Sequence, residues 1–125
     1  VFLVARAGGD LSICVAPVRE QPVPEQEWLP IVEGPVYVRS PQWSADGGLI
    51  YFVSERDARG CIWAQRLNPV TKRPVEEAFP IFHAHGRYRM NLPKGFGALA
   101  VARDKIVFLQ AETTGNIWMT QLEEQ

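Results

Sequence analysis

Short apolar runs alternate with polar turn sequences along most of this chain. In the clearest stretch, residues 41–54, Trp43 ends one extended run and an Asp-Gly-Gly sequence follows at 46–48. Aspartate bonds readily to its own backbone and glycine adopts positive φ without steric cost, so these residues favour a tight reversal. The next run, Leu49–Ser54, is rich in β-branched and aromatic residues, which predicts a buried strand.

A polar link at 55–60 leads to a further predicted strand, Cys61–Leu67. Strand alternation places Ile62, Ala64 and Arg66 on one side, and the odd-numbered residues of this run on the other. With an inner strand over 36–43 and an outer strand over 78–84, these segments form one four-stranded unit.

The same unit recurs along the sequence. Leu99–Phe108 matches Trp43–Phe52 without a gap at an interval of 56 residues, and Asn116–Leu122 matches Cys61–Leu67 at 55. A partial copy occupies residues 1–16. Repeats at a fixed period indicate modules that bury their apolar faces by stacking on their neighbours.

Residues 40–57, together with Ile62 and Trp63, resemble the TolB-like β-propeller repeat, whose core is Trp-Ser-Pro-Asp-Gly. Ala45 stands where that repeat usually has proline, and the last copy departs further, with Val-Ala-Arg-Asp at 101–104. The resemblance implies a bacterial and often periplasmic or otherwise extracytoplasmic protein. It leaves the function open, because such repeats serve in periplasmic scaffolds, peptidase gating domains and receptors.

We therefore predict an all-β fold, a partial β-propeller of about three four-stranded antiparallel blades in one domain. Blade one covers 1–35, blade two 36–84 and blade three 96–122, with both end blades incomplete. A blade takes about 40–45 residues and a closed ring has about 4–8 blades, so 125 residues are too few to close one. We expect a fragment of a longer propeller, or a piece that self-associates through its open blade edges.

Charge and composition narrow the classes of partner. The formal net charge of −1 gives no basic field that would attract nucleic acid. No apolar run approaches the roughly 20 residues that cross a bilayer, so no membrane insertion is expected. Cys14 and Cys61 are expected to be small buried residues and not a disulfide framework.

Two groups of residues are candidate sites. His83 and His85 would share one face of a strand and offer two metal ligands, but no cysteine or carboxylate is close to them in sequence. We therefore predict no metal or other cofactor.

The second candidate is a polar, basic loop between blades two and three, in which a ligand or protein partner could bind. The alternative is a solvated loop without a function. The residues of this loop are His85, Arg87, Tyr88 and Arg89, with Lys94 nearby.

Three tryptophans, Trp43, Trp63 and Trp118, occupy repeat positions that predict an inter-blade core. Truncation of Trp63 or Trp118 to alanine is expected to cost about 3–5 kcal/mol. The chain has no nucleophile elbow, phosphate-binding glycine loop or Cys-x-x-Cys pair, so no catalytic residues are predicted.

We expect a non-catalytic protein-interaction or scaffold module of a TolB-like propeller. One alternative is the propeller part of a larger enzyme, a peptidase or lyase, whose active site lies elsewhere. Another is a ligand-sensing domain of a signalling protein, which a deep pocket with converging polar groups would favour.

Overall fold

The structure is a computed structural model that describes residues 1–5, 8–57, 60–83, 90–91, 99–112 and 114–121. Within these ranges the regular structure is eleven β-strands and one 3-10 turn, Glu25–Glu27. The strands are β1 (Phe2–Ala5), β2 (Leu11–Val15), β3 (Leu29–Val32), β4 (Val38–Trp43), β5 (Leu49–Ser54), β6 (Cys61–Arg66), β7 (Phe79–Phe82), β8 (Met90–Asn91), β9 (Leu99–Val101), β10 (Ile106–Phe108) and β11 (Ala111–Glu112).

The strands form separate antiparallel sheets. Sheet 1 has the order β1-β2-β3, sheet 2 the order β4-β5-β6-β7, and sheet 3 is the pair β9-β10; β8 and β11 form a further pair. The all-β, antiparallel character of the prediction is confirmed. The described strands form no closed ring, and the number of blades stays a prediction. The part of the chain that the structure describes holds no helix of the length and apolar character that a membrane crossing requires.

A network of hydrogen bonds closes the predicted turn between β4 and β5. Asp46 Oδ1 accepts hydrogen bonds from the Ser44 hydroxyl at 2.6 Å and from the Gly48 N–H at 2.9 Å. The Ser44 oxygen in turn accepts one from the Leu49 N–H at 2.9 Å. Gly47 has a φ of +67°, a backbone conformation that L side chains rarely adopt. The predicted turn chemistry is therefore confirmed.

Sheet 2 buries both of its faces. Phe52 and Val38 on one face pack into a core shared with sheet 1, whereas Val53 and Ile62 on the other pack towards sheet 3. The first core consists of Ile13, Val15, Ile31, Val32, Val38, Ile50, Phe52 and Leu67. The second consists of Val53, Ile62 and Leu99, with Tyr51, Phe82, Ile106 and Phe108 packed against it. The three sheets therefore stack face to face, with sheet 2 in the middle.

The outer face of sheet 1 is covered. Phe2 and Cys14 are register partners on this face, since their neighbours Leu3 and Ile13 point into the first core. The Trp28 ring packs edge-on against Phe2, with the ring centroids 5.1 Å apart. Cys14 on the same face is almost fully buried.

The outer face of sheet 3 is bare. Val107 on this face is 60% exposed, and Leu109, which follows β10, is 61% exposed. The residues that flank Val107 in β10, Ile106 and Phe108, point the other way into the second core. One end of the stack is thus capped and the other is open.

The structure corrects two of the predicted strands. The inner strand of sheet 2 begins at Val38 and not at residue 36, and it carries an irregularity between Arg39 and Gln42, where Ser40 has a φ of +51°. The strand predicted over 116–122 is wrong for its described part, because residues 116–121 form no strand. Trp118 therefore lies in no inter-blade core, whereas Trp43 and Trp63 pack against the first core as predicted.

Candidate functional site

The predicted binding loop of His85, Arg87, Tyr88 and Arg89 lies outside the described residues. Its role as a ligand or partner loop therefore stays a prediction. His83, the other half of the predicted histidine pair, is described and lies directly after β7.

His83 belongs to a cluster with Asp57 and Cys61. Cys61 is the first residue of β6, and the pairing of Ile62 with Phe82 places His83 beside Cys61 at the same edge of sheet 2. Asp57 lies in the link that follows β5. One potential ligand atom from each of the three side chains lies within 4.8 Å of the other two.

The cluster spans the boundary between core and solvent. The His83 Nδ1 atom and the Asp57 Oδ2 atom are 3.0 Å apart, so a ring protonated at Nδ1 donates a hydrogen bond to the carboxylate. The His83 side chain is 50% exposed and the Asp57 side chain 25%, whereas Cys61 is completely buried. Solvent therefore reaches the imidazole and the carboxylate, whereas the Cys61 sulfur lies in the protein interior.

Aromatic rings and one cation surround the cluster. The Trp63 and His83 rings meet edge to face, with centroids 6.4 Å apart. The Arg56 guanidinium lies 5.0 Å from the centroid of the Trp63 ring and 5.8 Å from that of Phe52. Burial lowers the pKa of Arg56, and the carboxylate of Glu77 opposes this shift. The guanidinium nonetheless stays charged at any physiological pH.

Sequence reasoning missed this cluster. It rejected a metal site because no cysteine or carboxylate follows or precedes His83 closely, and Cys61 is indeed 22 residues away. The register of β6 against β7 removes that separation. One signal could have found the cluster. Cys61 begins one predicted strand and His83 lies near the end of the next, and antiparallel pairing of consecutive strands brings two such positions together.

A second feature is the open end of the stack. We use this name for the exposed apolar residues Val107 and Leu109 of sheet 3, together with Ile117, Trp118 and Met119, which follow β11 along the chain. Residues 117–119 are each at least 89% exposed. Among the described residues, β10 pairs only with β9, so its other edge carries no strand.

A groove of about 920 Å³ separates the turn at 44–49 from the corresponding turn of sheet 3. Its charged lining includes Asp46, whose carboxylate is held by its own turn, and Asp104, which is paired with Lys105 at 3.4 Å. Arg103 and Lys105 also line the groove, so its lining carries charges of both signs, and the ligand-sensing alternative stays a prediction.

Comparisons with protein-family models, with curated protein sequences and with solved structures found no match to this chain.

Proposed function

We propose that this chain is a non-catalytic protein-interaction module of the TolB-like propeller type, and that it binds through the open end of its sheet stack. The observation that carries the proposal is the exposure of Ile117, Trp118 and Met119, each at least 89% exposed. Three consecutive large apolar side chains in water form a patch that isolated surface residues do not explain, and such patches typically mark interaction sites.

The backbone and outer face of sheet 3 support the same function. Among the described residues, β10 has a strand on one side only, and an edge of this kind favours the addition of a further strand. The bare outer face of sheet 3, with Val107 and Leu109, supplies apolar surface that a partner would remove from water. Main-chain pairing and apolar burial would then act together.

The partner that we propose is a second copy of this chain. Trp28 packs on Phe2 at the sheet 1 end of the stack and Cys14 is buried there, so that end offers less apolar surface to a neighbour than the open end does. A head-to-tail contact is therefore disfavoured, and two open ends that face each other across a two-fold axis would satisfy both copies at once. Because each open end is then covered by the other, this arrangement forms a dimer and no larger assembly.

A non-catalytic role agrees with the chemistry of the thiol in the Asp57, Cys61 and His83 cluster. A cysteine nucleophile must meet its substrate, and Cys61 is completely buried. The cluster thus lacks the accessible sulfur that acyl or group transfer requires.

Sedimentation velocity across a concentration series up to tens of micromolar tests the proposal. The natural chain is expected to form a dimer, and the double substitution Ile117→Ser with Trp118→Ser is expected to leave it monomeric. Val70→Ser removes a comparably exposed apolar side chain from a turn of sheet 2 and is expected to leave the dimer intact. A natural chain that stays monodisperse and monomeric, or a double variant that still dimerises, would contradict the proposal.

A further inference from the structure

We propose that Asp57, Cys61 and His83 form a binding site for a zinc-like transition-metal ion. This inference does not depend on the proposed dimer, because the three residues belong to sheet 2 and its link and none of them lies at the open end. It also reverses the expectation, drawn from sequence spacing, that His83 has no partners for a metal.

The spacing of the three ligand atoms fits one ion. Zinc binds sulfur at about 2.3 Å and nitrogen or oxygen at about 2.0–2.2 Å, which puts the ligands of one tetrahedral ion roughly 3–4 Å apart. The three atoms here lie within 4.8 Å of one another, and the His83 to Asp57 distance is 3.0 Å. The spacing of the three side chains is therefore close to what one bound ion requires.

The donor types select the class of metal. A thiolate with an imidazole suits Zn²⁺, Co²⁺ and similar ions, whereas Mg²⁺ and Ca²⁺ require oxygen ligands. Three protein ligands leave the fourth tetrahedral position to a water molecule.

The charges and the burial of the cluster also favour a divalent cation. Cys61 must be a thiolate to bind a metal, and a buried thiolate needs a compensating positive charge. With the Asp57 carboxylate, two negative ligands balance the two charges of the ion. The Arg56 guanidinium over Trp63 is the neighbouring positive charge that opposes binding, and Glu77 offsets part of it.

Ser54 supplies an independent observation. It lies directly across from Cys61 in the pairing of β5 with β6, a position that brings the two Cβ atoms to about 4.5–5.5 Å. The Ser54 hydroxyl is fully buried and has no hydrogen-bond partner among the described residues. A metal-bound thiolate opposite it would accept a hydrogen bond from this hydroxyl, in the way that outer-shell donors usually hold metal ligands.

An ion at this position would join two parts of sheet 2. Asp57 lies in the link between β5 and β6, and His83 follows β7, which among the described strands pairs only with β6. The metal would therefore fasten both the link and the end of the edge strand to the buried start of β6.

Cobalt titration of the full chain, purified with a chelator and kept reduced, tests the site. Bound Co²⁺ is expected to give the near-ultraviolet charge-transfer band of a cobalt–thiolate bond, and Zn²⁺ is expected to abolish this band by competition. Cys61→Ala should remove the band, whereas Cys14→Ala, which alters the other buried cysteine, should keep it.

Substitutions of the other two ligands, neither of which is fully buried, keep the test decisive if Cys61→Ala fails to fold. His83→Gln and Asp57→Asn should weaken cobalt binding by at least the roughly 10- to 100-fold that outer-shell changes cost. Asp104→Asn, an exposed carboxylate in sheet 3, should leave the affinity unchanged, with circular dichroism used to confirm folding. A natural chain without the band at saturating Co²⁺, or His83→Gln and Asp57→Asn variants that bind with unchanged affinity, would overturn the proposal.

Discussion

Sheet 2 and sheet 3 are built from copies of one sequence pattern, yet they differ in almost every physical property. Phe52 in β5 is completely buried, whereas its repeat equivalent Phe108 in β10 is partly exposed. Ile62 in β6 is buried, whereas the equivalent Ile117 is fully exposed and lies in no strand. The difference shows that the repeat pattern alone determines neither strand formation nor burial, since both also depend on the neighbouring strands and sheets.

The largest expected effect distinguishes the two phenylalanines. Phe52→Ala should cost about 3–5 kcal/mol of unfolding free energy, because it empties a closed core. Phe108→Ala should cost only about 1–2 kcal/mol, since its ring is partly in water. Urea denaturation of both variants measures the two values, and equal losses would mean that sheet 3 is covered as well as sheet 2.

The tryptophans make a second paired test. Trp63 packs against the first core and its replacement by alanine should cost about 2–3 kcal/mol, less than a fully buried ring would. Trp118 is 89% exposed, so Trp118→Ala should change the unfolding free energy of dilute protein by no more than about 0.5 kcal/mol. A large loss of unfolding free energy for Trp118→Ala at low protein concentration would show that the Trp118 ring is buried.

A smaller effect is expected at the turn of sheet 2. Gly47→Ala places a side chain at a φ of +67° and should cost about 1–2 kcal/mol. Gly48→Ala is the matched control, because Gly48 has no positive φ and an added Cβ would meet only the Asp46 side chain at 3.4 Å. Thermal or urea unfolding compares the two, and equal effects would indicate that the turn is not held in this conformation.

The smallest effect is a dependence on pH at the same turn. The Ser44 hydroxyl, followed by the Gly48 N–H, lowers the pKa of the Asp46 carboxyl below its usual value. A carboxyl whose folded-state pKa lies below its unfolded value stabilises the fold at neutral pH, and this contribution is lost as the pH falls through the folded-state pKa. Asp46→Asn should therefore lose less stability than the natural chain between neutral and acidic pH, as measured by urea midpoints. If the natural chain and Asp46→Asn lost equal stability over this pH range, Asp46 would not be the source of the pH dependence.

Sequence reasoning succeeded where local chemistry determines the structure. The bounds of Leu49–Ser54 and the Asp-Gly-Gly turn were predicted correctly, because turn residues and an apolar run act over a few positions. The two faces of β6 were also correct: Ile62 points into the second core, and Trp63 packs against the first.

Sequence reasoning failed where contacts between distant segments determine the result. The strand predicted over 116–122 has the right pattern, but a pattern does not specify a pairing partner. The Asp57, Cys61 and His83 cluster depends on the register of β6 against β7 and on the path of the link, and neither is encoded in spacing along the chain.

Hydrogen exchange followed by mass spectrometry tests most directly the claim that one end of the stack is closed and the other open. In dilute protein, amides of β5 and β6 should exchange slowly, whereas those of β10 and of residues 116–121 should exchange fast. At tens of micromolar, the second group should become protected and the first should not change. Slow exchange of 116–121 at every concentration would contradict the account, as would fast exchange there under dimer-forming conditions.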